Sequence, residues 1–109
     1  MPRTPLKTPQ NDFSFKLPVK FGSVNDSVKL FHQGLGLLNQ GHLTQAKNIF
    51  EQAVKINPKH LDALNFLGII AAQTKNYQLA VGYFDSAIKL DRNNSYFYCS
   101  RGRVYLGMV

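Results

Sequence analysis

Three glycines set the frame of this 109-residue chain: Gly34, Gly68 and Gly102 stand 34 residues apart. Gly68 lies inside "LNFLGIIAAQ", Leu64 to Gln73, a run that otherwise reads as a buried helix. Glycine in a helix interior costs about 1 kcal/mol relative to alanine, so each of these positions asks for a packing reason. Other residues keep the same spacing. Leu30 matches Leu64 and Tyr98, Leu37 matches Ala71 and Tyr105, and Ile56 matches Leu90. Ala46 matches Ala80, Phe50 matches Phe84, and Ala53 matches Ala87. Small, large and aromatic residues sharing one register mark a repeated structural unit.

Helical periodicity within that register predicts five helices, at about 27–40, 43–57, 61–74, 77–90 and 95–108. Turns fall at "NQGH", "NPKH", "QTKN" and "DRNN". Asn25 or Asp26 is the expected N-cap of the first helix. These units resemble the tetratricopeptide repeat, whose pattern over 34 residues is W-x2-L-G-x2-Y…A-x3-F…P. The second unit, 61–94, carries Leu64, Leu67, Gly68, Ala71, Ala80, Phe84 and Ala87, with Arg92 where the late proline would stand. The first unit, 27–60, carries Leu30, Gly34, Leu37, Ala46, Phe50, Ala53 and Pro58, with Gln33 in place of the usual leucine. A partial third, 95–109, carries Tyr98, Gly102 and Tyr105. The resemblance implies an all-α, right-handed solenoid of helix hairpins, about two and a half repeats long, over 26–109. The glycines then have their reason, because a side chain at Gly34, Gly68 or Gly102 would hold paired helices apart. Ala46 and Ala80 serve the same approach from the second helix, with Phe50 and Phe84 filling the space alongside.

Residues 1–25 differ in kind. They hold four of the five prolines, Pro2, Pro5, Pro9 and Pro18, and no helical periodicity, so they read as an extended or disordered basic tail. Within the tail, Phe13, Phe15, Leu17, Val19 and Phe21 alternate with Ser14, Lys16, Pro18 and Lys20, which gives one apolar edge if the segment is extended. That edge is expected to lie along an apolar groove, the chain's own or a neighbour's.

Little in the chain points to chemistry. His32, His42 and His60 form no H-x3-H pair, and the single Cys99 brings no second thiolate, so no metal site or disulfide is expected. Cys99 reads as a small packed thiol in a reducing, cytoplasmic setting. Asp12, Asp26, Glu51, Asp62, Asp85 and Asp91 are scattered, with no acid/base pair. No apolar run approaches a membrane span. The reading is therefore a non-enzyme without cofactors. Charged residues make up only 17% of the chain, below the roughly 25% of ordinary soluble domains, which leaves apolar surface for a partner. The net charge of +7 favours acidic partners or nucleic acid, though whole-chain charge is a weak pointer. Nucleic acid is disfavoured. "YFYCSRGRVY" has the composition of a stacking surface, yet Tyr98 and Tyr105 fall on repeat-core positions and the other basic residues make no stripe.

The family resemblance implies that the first helix of each unit lines a concave groove. It places Val28, Phe31, His32, Leu35, Leu38 and Asn39 there from the first unit. Asp62, Asn65, Phe66, Ile69, Ala72 and Gln73 follow from the second, and Tyr96, Cys99, Ser100, Arg103, Leu106 and Gly107 from the third. One subclass of the family holds an acidic chaperone C-terminus with basic and polar side chains. Here Phe31, Leu35, Phe66, Tyr96 and Ser100 stand at those places, and a phenyl ring cannot replace an ammonium on a carboxylate. The expected site is instead an apolar peptide groove of Phe31, Leu35, Leu38, Asn65, Phe66, Ile69, Gln73, Tyr96 and Arg103, with Asn65 and Gln73 bonding a ligand backbone.

The expected function is a scaffold or adaptor that binds a protein or peptide segment. The alternative is the recognition portion of a larger enzyme, because "HLDALNFLGIIAAQTKNYQLAVGYFDSAIKL" also resembles repeats found ahead of bacterial glycosyltransferase domains. "VYLGMV" gives the chain an apolar end, so a longer array or self-association through the last helix or the tail is expected, with marginal stability for the chain alone.

Overall fold

The computed structural model describes residues 24–109. They form five α-helices: α1 (Val24–Asn39), α2 (Leu43–Ile56), α3 (Leu61–Gln73), α4 (Tyr77–Leu90) and α5 (Ser95–Gly107). α1 packs on α2, α3 on α4, α2 on α3, and α4 on α5. Two hairpins and a fifth helix therefore stack in chain order as a helical solenoid, and no strand occurs among the described residues. The tail and its alternating segment lie outside the described residues, apart from Val24 and Asn25. Those two are already helical, so α1 starts ahead of the expected cap and Asp26 sits in its first turn.

The 34-residue register is repeated in the backbone. α2 and α4 begin and end at equivalent residues, and so do α3 and α5. Gly41 and Lys75, one register apart, both adopt positive φ, 84° and 64°, where the chain leaves the first helix of its hairpin. At each, the next amide bonds back to a carbonyl in the last turn: His42 N to Leu37 O at 2.9 Å, Asn76 N to Ala71 O at 2.8 Å. α3 and α5 are both capped by a side chain. His60 Nδ1 accepts from Ala63 N at 3.2 Å, and Asn94 Oδ1 accepts from Tyr96 N at 3.0 Å.

Gly34 and Gly68 behave as expected. A Cβ on Gly34 would lie 2.6 Å from Cε1 of Phe50, and one on Gly68 would lie 2.7 Å from Cζ of Phe84. Each phenyl ring thus rests on bare helix backbone, flanked by fully buried Ala46 and Ala53 or Ala80 and Ala87. Leu64 and Leu67 are buried in α3, as their register predicts. Gly102 departs from this rule, because nothing lies within 4 Å of its Cβ position. Its neighbours Tyr98 and Tyr105 are 44% and 48% exposed, although the sequence places them in the core. Among the described residues no helix packs on that face of α5, so the glycine and both rings remain open. Cys99 is also exposed rather than packed.

Tyr83 of α4 joins the two halves of the core, packing against the cluster around Phe50 and the cluster around Phe84. Burial, together with Glu51 of α2 beside it, pushes its phenol above the ordinary value. The protonated form is thus favoured in the folded chain. That contribution is complete below about pH 10, the ordinary tyrosine value, and is lost as pH climbs through the raised folded pKa. Tyr83→Phe is expected to flatten the loss of stability above about pH 10. Urea titrations at a series of pH values check this, and an unchanged slope would contradict it.

Candidate peptide-binding groove

The first-unit half of the expected groove is filled. Phe31 is only 9% exposed and lies among rings: Phe50 at 5.6 Å, His60 at 5.0 Å and Phe66 at 5.8 Å between centroids. Phe66 also stacks on Phe50 at 5.7 Å and 20°. Leu35 and Leu38 pack partly buried against the same cluster. These side chains bind α1, α2 and α3 together, and their place on the helix face reflects inter-repeat core. Asn65 is half-buried, and its Oδ1 is enclosed with no hydrogen-bond partner among the described residues.

The second half is open. Ile69, Ala72 and Gln73 of α3, Tyr77 and Phe84 of α4, and Tyr96, Ser100, Arg103, Val104 and Gly107 of α5 line a recess of about 490 Å³. Register explains the difference. Ser100 stands where the preceding unit has Phe66, and Ala72 stands where it has Leu38. A hydroxymethyl and a methyl replace a benzyl and an isobutyl group, and the space they leave is the recess. Of the expected site residues, Ile69, Gln73, Tyr96 and Arg103 meet here, while Phe31, Leu35, Leu38, Asn65 and Phe66 do not line it. The contribution of α4 was missed, because Tyr77 lies on the second helix of its hairpin. In the structure Tyr77 closes against the end of α5, where a Cβ on Gly107 would approach its Cε1 to 3.0 Å.

Of the lining, Phe84 and Val104 are buried, Ile69 and Ser100 are partly buried, and Gln73 and Tyr96 are exposed, so the covered part is apolar and polar residues stand towards solvent. Among the described residues Arg103 is the only charged one in it. The neighbouring Arg101 is engaged elsewhere. It donates to Asp85 Oδ1 at 2.7 Å and lies 5.5 Å from the Tyr98 ring centroid. That hydrogen bond to Asp85 raises its pKa above the ordinary value. Arg103 makes no ion pair among the described residues, and no carboxylate lines the recess. The site therefore offers a hydrophobic socket with one available guanidinium at its edge. That chemistry suits a bulky apolar side chain beside a carboxylate.

Among the described residues, no group of three His, Cys, Asp or Glu side chains is placed to hold a metal ion, and no helix is long and apolar enough to cross a membrane. A family model described as Tetratricopeptide repeat matches residues 31–95, more than half of the chain.

Proposed function

Since the chain belongs to the tetratricopeptide repeat family, whose repeats generally mediate protein–protein interaction, we propose that it is a non-catalytic adaptor that captures a peptide segment in the recess between α3 and α5. The observation that carries this reading is the local exchange of Phe66 and Leu38 for Ser100 and Ala72, which opens one inter-repeat space and leaves its counterpart packed. The segment would place one large apolar side chain over Phe84 and Val104, with a neighbouring carboxylate on Arg103. Gln73 and Ser100 would meet its backbone. A cytoplasmic setting belongs to the same proposal.

The reading can be tested by refilling the recess. Ser100→Phe installs the ring that the preceding unit carries at Phe66, so it should block the socket while leaving the fold intact. Peptides selected from a random display library on the unmodified chain are expected to bind Ser100→Phe at least about tenfold more weakly, a loss of about 1.4 kcal/mol. Arg103→Glu should weaken the same peptides and make them prefer basic over acidic flanks. Equal affinity for the unmodified and both altered chains would sink the proposal.

A further inference from the structure

The recess suits a large apolar side chain beside a carboxylate, and the chain carries that pair ahead of its first helix. Asp12 is the only acidic residue in 1–23, and Phe13 follows it directly. Elsewhere an acid adjoins a bulky apolar residue at Glu51, Asp62, Asp85 and Asp91, all within or at the ends of the helices that build the solenoid. Asp12–Phe13 is thus the one such pair in the sequence that the helices do not already use. Phe13 also opens the alternating run Phe15, Leu17, Val19 and Phe21, which in an extended chain puts Lys16 and Lys20 on the opposite edge. Between α1 and the recess, Leu35, Leu38 and Phe66 are partly buried and leave apolar atoms at the surface, a track for that edge. Ser100, Arg103 and Gly107 stand on the side of α5 away from Gly102, so the recess is separate from the place that the register gives to a following helix.

We infer that Asp12–Phe13 occupies the recess of its own chain, Phe13 over Phe84 and Val104 and the Asp12 carboxylate on Arg103, so that a partner peptide binds by displacing it. The inference rests on the peptide-recess reading and adds a means of regulating it. Charge fits, because Arg103 makes no ion pair among the described residues and no carboxylate lines the recess. Reach fits as well. Two helix spacings of about 10 Å each separate α1 from α5. Arg103 lies eleven residues past the register equivalent of Val24, about 16 Å along the helix axis. The twelve residues from Asp12 to Val24 span up to about 40 Å when extended, enough for both legs in succession. Such a tether holds the segment at an effective concentration on the order of 1 mM, far above that of a second copy in dilute solution. A contact with a dissociation constant of about 0.1 mM is then filled about nine-tenths of the time, which weakens a competing peptide about tenfold.

The test uses the full chain, with circular dichroism confirming unchanged helix content in each variant. Without any peptide, Phe13→Ala is expected to shift the amides of Ile69, Ser100 and Arg103, and to do so equally at low and high protein concentration. Asp12→Arg should shift the same amides, and adding Arg103→Glu should return Ile69 and Ser100 towards their original positions, because the ion pair is restored with its signs exchanged. The display-selected peptides, fluorescently labelled, should bind Phe13→Ala about tenfold more tightly than the unmodified chain. Recess amides that ignore Phe13→Ala would overturn the inference. Shifts that appear only at high concentration would overturn it too, since the occupant would then come from a second copy. Equal peptide affinity for the unmodified chain and Phe13→Ala, with Ser100→Phe still blocking the peptides, would remove the self-contact and leave the adaptor reading standing. Peptides that ignore Ser100→Phe would remove both.

Discussion

Gly68→Leu is expected to destabilise the chain by about 3 kcal/mol, the upper end of ordinary overpacking costs, while Gly102→Leu leaves stability unchanged or raised. The two glycines occupy the same register and sit in helices of equal length, so helix propensity favours both substitutions by about the same amount, under 1 kcal/mol. What differs is the space each would enter. At Gly68 even a Cβ would stand 2.7 Å from Phe84, and that ring is 2% exposed, enclosed by Ala80 and Ala87. The ring can yield only by separating α3 from α4. At Gly102 the new side chain meets no atom of the described residues within 4 Å of its Cβ. A stability of about 5–15 kcal/mol is usual for a domain, so the Gly68 change removes a large share of it. Urea unfolding followed by circular dichroism measures both. A truncated ring in Gly68→Leu/Phe84→Ala should make the two changes cost less than their sum. Equal effects at Gly68 and Gly102 would mean that the hairpin does not close as described.

Phe50→Ala is expected to cost about 3–5 kcal/mol. Its ring is fully buried, rests on Gly34, and contacts Phe31 at 5.6 Å and Phe66 at 5.7 Å, so it ties α1, α2 and α3 into one cluster. Alanine there leaves a ring-sized hole bounded by other rings that are themselves held by neighbouring helices. Collapse around it is limited, which puts the cost at the high end. Phe66→Ala, at a partly buried ring in the same cluster, should cost less. The same urea titration decides the order. A cost below about 1 kcal/mol for Phe50→Ala would contradict the cluster as the first unit's main anchor.

Much of the fold was legible because its information is periodic. Gly34 with Phe50 and Gly68 with Phe84 declare both the helices and their pairing, and four of the five helices begin where the register puts them. The start of α1 was less legible, since Asn25 and Asp26 have the chemistry of a cap yet lie inside the first turn. Tyr98 and Tyr105 were misplaced for a physical reason. A register assigns a face to a residue, but only a covering helix makes that face a core. Their exposure also removes one of the arguments used against a stacking surface, although Arg101 is already committed to Asp85.

The groove was half legible. Register puts Phe31 and Ile69 on the same side of the solenoid, yet whether that side is packed or open depends on volumes across the gap. Phe66 and Leu38 close the first gap, and Ser100 and Ala72 leave the second open. Comparing volumes position by position between units would have found the recess from the sequence. Tyr77 would still have escaped, because it reaches the recess from α4.

The most direct test of the central claim is amide chemical-shift mapping of the chain with a display-selected peptide. Perturbations are expected to concentrate at Ile69, Gln73, Tyr77, Ser100 and Arg103, with Phe31, Leu35 and Leu38 unmoved. Shifts centred on α1 and α2, with the α3–α5 recess silent, would contradict it.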